Sequence, residues 1–79
     1  MDLLLNIKEF YDILFKYKII QTKPKYDKIE KIADKVYDGN YKELQKQILI
    51  TLSPDIYNIL QDKLTNIKQI VDKEHEQKE

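Results

Sequence analysis

One glycine and two prolines punctuate this 79-residue chain, and Pro24, Gly39 and Pro54 each fall where a helical hydrophobic pattern stops. With so few breakers, and apolar residues recurring every three to four positions, the spacing predicts helices over approximately 2–20, 25–37, 41–52 and 54–73. The few residues between these stretches leave no room for a linker, and short connections favour antiparallel neighbours. The expected fold class is therefore all-α: a compact bundle of three or four short helices forming a single domain over 1–79. Glu74 to Glu79 is wholly polar and is expected to fray as a tail.

The opening stretch holds more apolar side chains than one helical face accommodates. At about 100° per residue, Leu3, Leu4, Ile7, Phe10, Tyr11, Leu14, Phe15 and Tyr17 share an arc of roughly 160°. Leu5, Ile13, Ile19 and Ile20 fall outside it, interleaved with Glu9, Asp12 and Lys16. A helix apolar beyond one stripe is either central in its own bundle or pressed against another molecule. The expectation is that Leu5, Ile13, Ile19 and Ile20 form a protein interface. Ile50, stranded among Glu43, Lys46 and Gln47 in the third stretch, joins them.

The other core faces are Tyr26, Ile29, Ile32, Ala33, Val36 and Tyr37 in the second stretch, and Tyr41, Leu44, Ile48, Leu49 and Leu52 in the third. In the fourth they are Ile56, Ile59, Leu60, Leu64, Ile67, Ile70 and Val71, with Lys63 the one polar intruder, its amine expected to reach water. Gly39 suits the left-handed conformation that ends a helix, and Asn40 followed by Glu43 resembles a capping box for the next one. Ser53-Pro54-Asp55 is a strong helix start: a hydroxyl cap, a proline at the first helical position and a carboxylate near the positive end of the dipole. The last two stretches could also be one helix kinked at Pro54. A corner is favoured, because the residue before proline resists the helical conformation.

Composition excludes several classes. No cysteine is present, so neither disulfides nor thiolate zinc sites supplement the core. No apolar run exceeds three residues, against the roughly 18 needed to span a bilayer, and Met1-Asp2 does not open a signal peptide. Cytoplasmic placement is expected, in the host cytoplasm if the protein is viral. Fourteen Lys balance fourteen acidic residues and no Arg occurs. The neutral balance removes the field that draws proteins to nucleic acid, and the missing guanidinium forks weigh against base reading. Lys in place of Arg throughout also suits an AT-rich coding genome, such as that of a virus or plasmid.

No constellation points to catalysis, a metal, a cofactor or a small-molecule substrate. His75 is the sole histidine and lies in the expected tail. Glu30 and Asp34, one turn apart, are flanked by Lys28, Lys31 and Lys35, which makes them a solvated charge lattice. Ser53 is accounted for by capping, and no glycine-rich phosphate loop occurs. An alternative is a nucleic-acid surface formed by Lys16, Tyr17, Lys18, Lys23, Lys25, Tyr26 and Lys28, with lysines tracking phosphates and tyrosines stacking bases. Against it, both tyrosines fall in the apolar arcs and are expected to face the core. A helix-turn-helix over 25–52 is disfavoured, since its second helix would present only Lys42, Glu43, Lys46 and Gln47. The favoured reading is a small non-enzymatic interaction module, pairing with itself as a homodimer or docking on a larger protein.

Overall fold

The computed structural model describes residues 2–76. Four helices follow one another: α1 (Asp2–Lys16), α2 (Tyr26–Tyr37), α3 (Lys42–Leu49) and α4 (Pro54–Glu76). The all-α bundle expected from the spacing is the fold observed, and the described residues contain no strand. At 1.5 Å per residue α4 is about 34 Å long, so it runs most of the 40 Å long axis. Helix α1 packs against both α2 and α4, while α3 packs chiefly on α4.

The first helix stops four residues earlier than expected. Lys18 adopts the left-handed conformation, φ 61°. The Ile19 amide donates to Leu14 O at 2.8 Å and the Lys18 amide to Phe15 O at 3.1 Å. This pair of bonds is a Schellman motif, usually closed by glycine. The reversal turns Ile19 and Ile20 back onto the core, where both are half-buried. Gly39 closes α2 in the same way: its amide donates to Val36 O and the Asn40 amide to Lys35 O, both at 2.9 Å. Because the Asn40 amide is already used, Glu43 cannot complete a capping box with it. Instead the Asn40 side chain accepts from the Lys42 amide at 3.1 Å.

A lysine held at positive φ costs about 1–2 kcal/mol that glycine does not incur, partly offset by glycine's greater freedom when unfolded. Lys18→Gly is therefore expected to stabilise the fold by about 1 kcal/mol. Gly39→Ala is expected to destabilise it by a similar amount through φ alone, since a Cβ there meets nothing within 4 Å. Urea unfolding of the two variants checks the pair. Equal midpoints for both would contradict the turn geometry.

The core gathers Ile7, Phe10 and Leu14 of α1, Val36 of α2, Leu44 and Ile48 of α3, and Leu60 and Ile67 of α4, all nearly inaccessible. Tyr11 joins them. Burial pushes its phenol up to about 12, with the Glu43 carboxylate adding to the effect, so it stays a neutral core ring at ordinary pH. The Lys63 amine does not reach for water as expected. It donates to Asn6 Oδ1 at 2.9 Å and pairs with Glu9, tying α4 to α1 through a charge-assisted bond.

At the α3–α4 connection the corner prevails over the kinked helix. Ile50 to Ser53 separate the two helices; Ser53 O accepts from the Tyr57 amide at 2.9 Å and Ser53 Oγ from the Ile56 amide at 3.5 Å. The tail expected from Glu74 is, over Glu74–Glu76, the last turn of α4; residues 77–79 lie outside the described range. There the His75 ring stacks on Tyr37 at 4.5 Å, and its Nε2 lies 2.6 Å from Tyr37 O. A carbonyl only accepts, so Nε2 carries the proton of this bond.

Candidate functional site

The least expected feature of the surface is the corner between α3 and α4. Leu52 is 97% exposed, Leu49 76% and Ile50 52%. Beside them, Tyr17, Ile19, Ile50, Leu52 and Ile56 line a depression of about 360 Å³.

Local chain geometry explains the arrangement. Helix α3 is only two turns long, and its buried stripe is used up by Leu44 and Ile48. Beyond Leu49 the chain is no longer helical. Thr51 turns inward, 9% exposed, and its hydroxyl donates to Gln47 O at 2.9 Å, satisfying a carbonyl at the end of α3. In non-helical, extended backbone successive side chains alternate. With Thr51 anchored inside, Ile50 and Leu52 point out. Leu49 and Leu52 were therefore misassigned to the core by a pattern that treats 41–52 as one uninterrupted helix. Around the apolar centre stand Lys18, Lys46 and Asp55, all exposed.

Of the residues expected to form an interface, Leu5 and Ile50 are displayed, 53% and 52% exposed. Ile13, Ile19 and Ile20 instead pack half-buried against the core. Their apolar surplus is answered inside the monomer, by the central position of α1 and by the turn at Lys18. Ile19 still reaches the edge of the corner depression.

The tyrosines run the other way. Tyr17 and Tyr26, expected to face the core, are 42% and 61% exposed. Tyr17 lies beyond the end of α1, where a helical wheel no longer applies. Lys16, Lys18, Lys23, Lys25 and Lys28 are exposed as well; the Lys16 amine sits 5.5 Å from the Tyr17 ring centre, and that of Lys23 5.6 Å from the Phe15 ring. Lys23 also pairs with Asp12 at 3.6 Å. A helix-turn-helix finds no support in the packing, because α2 rests chiefly on α1 and α3 on α4. Gln47 is half-buried, withdrawn from any groove it would have to read.

Among the described residues no group of three or more His, Cys, Asp or Glu is placed to hold a metal ion, and no helix is long and apolar enough to cross a membrane. Comparison with protein-family models, curated proteins and solved structures returns no match. The functional reading therefore rests on the surface of the chain itself.

Proposed function

We propose that this chain is a small non-enzymatic interaction module that pairs with a second copy of itself through the α3–α4 corner. The observation that carries the reading is the exposure of Leu49, Ile50 and Leu52 side by side in a chain that otherwise sorts its apolar residues inward. Contiguous apolar surface rimmed by polar groups is characteristic of protein–protein contact. A second copy suits the rim. The protein has no net charge to hold copies apart, and a two-fold contact places Lys18 and Lys46 of one protomer within reach of Asp55 of the other. Hydrodynamic mass as a function of protein concentration tests the proposal, and constant monomer mass rejects it. The lysine-for-arginine composition agrees with an AT-rich genome, viral or plasmid-borne.

A second reading gains from the exposure of Tyr17 and Tyr26 amid lysines, which suits single-stranded nucleic acid. Its expected signature is a gel shift of a short single-stranded oligonucleotide in 50 mM salt that is lost by 200 mM, because phosphate contacts weaken by roughly a thousandfold over that range when about six are made. An unshifted oligonucleotide at the lower salt removes this reading.

A further inference from the structure

A second surface, independent of the corner, lies along the seam between α1 and α2. A cleft of about 380 Å³ opens there, with Leu4 and Ile29 among its lining residues and Leu5 and Tyr26 beside them. Leu5 and Tyr26 are each more than half exposed, so the cleft is an open trough. Small-molecule sites bury about 70–90% of their ligand, whereas a trough of this form suits the apolar ridge of a helix.

The charges beside the trough differ along its length. Lys8 and Lys23 line the cleft itself. Its one acidic residue, Asp12, is taken up by Lys23, and Glu9 is drawn to Lys63 of α4. Leu4 also lines an adjoining depression on the α2 side, where Asp27, Glu30 and Asp34 outnumber Lys31. The seam thus has an apolar floor, a basic flank on the α1 side and an acidic flank on α2. Phosphate backbones, uniformly negative, would meet repulsion from Asp27, Glu30 and Asp34. A second copy is disfavoured too: with protomers already closed in pairs at the corner, pairing at the seam as well would build open-ended arrays.

We infer that the α1–α2 seam docks an amphipathic helix of a partner protein, with apolar anchors along one face, acidic residues on one edge and basic residues on the other. The probe is a set of three synthetic helical peptides sharing leucines at i, i+3, i+4 and i+7. One bears Glu on one edge and Lys on the other, one bears Glu on both and one Lys on both. Binding is followed by NMR shifts of the Leu4, Leu5 and Tyr26 signals of the whole protein.

The mixed-charge peptide is expected to bind at least about tenfold more tightly than either of the others, a difference of about 1.4 kcal/mol. In a Lys8→Glu, Lys23→Glu variant both flanks are acidic, and preference is expected to pass to the all-Lys peptide. Both lysines are exposed, so this variant keeps the fold. Equal binding by all three peptides, no movement of the seam signals, or an unchanged preference in the variant would overturn the inference. So would displacement by a single-stranded oligonucleotide, or growth of the protein into long assemblies through the seam. Failure here leaves the corner reading standing, because the corner is read by protein mass in the absence of peptide.

Discussion

Changing Leu49 and Leu52 together to Asp is expected to weaken self-association by at least about a hundredfold while leaving the monomer's helix content and thermal midpoint nearly unaltered. Central apolar anchors of an interface are typically worth about 2 kcal/mol or more each on truncation, and about 1.4 kcal/mol is a factor of ten. Even with strong non-additivity, two such anchors exceed a hundredfold. An introduced carboxylate makes the loss larger, because burial against a second apolar corner would strip its water. The monomer is indifferent because neither side chain supports it: Leu52 is 97% and Leu49 76% exposed, and surface changes of this kind stay within about 0.5 kcal/mol. Leu5→Asp, on the seam, is the control and is expected to leave self-association as it was. Sedimentation velocity reads all three proteins. Dissociation by Leu5→Asp, with none by the double variant, would move the interface from the corner to the seam.

Phe10→Ala is expected to remove most of the protein's stability. Phe10 is fully buried in the central helix, its ring edge-on to Tyr11 at 5.5 Å. Emptying such a site costs about 3–5 kcal/mol. Domains of this size have roughly 4–12 kcal/mol in total, and so small a core places this one toward the lower end. At about 4–8 °C per kcal/mol, the thermal midpoint followed by circular dichroism falls by about 15 °C or more. The matched substitution Phe15→Ala removes the same atoms from a ring that is 39% exposed and is expected to lose about 1 kcal/mol at most. Similar losses for both would contradict the sorting of α1 into a buried and a displayed side.

Much of this architecture is legible in the residues. Gly39, and Ser53-Pro54-Asp55, mark helix ends and starts by local chemistry, and both fall where expected. What escapes is of two kinds. The end of α1 is hidden because Lys18, not glycine, occupies the left-handed position; nothing local distinguishes it from a lysine in a continuing helix. From that one boundary follow the misplacement of Tyr17 and the inward turn of Ile19 and Ile20. The second kind is tertiary. Lys63 meets Asn6 and Glu9 more than fifty residues away, and His75 meets Tyr37 across the bundle, pairings no periodicity encodes.

The candidate site was only partly visible for the same reason. Ile50 stands out by its polar neighbours and is exposed as expected. Leu49 and Leu52 look like core on a helical wheel and become surface only because Thr51 is the side chain that turns in. The polar residue buried at the corner, and the two apolar ones it displaces, could have been suspected from Leu52 standing just before the Ser53 cap, where helical phase is already lost.

Sedimentation equilibrium of the unmodified protein, from about 1 μM to about 1 mM so as to cover micromolar affinities, tests the central claim most directly. The mass is expected to climb from 9.6 kDa toward twice that value and to level there, as a closed pair requires. A mass that stays at the monomer value throughout would contradict the account.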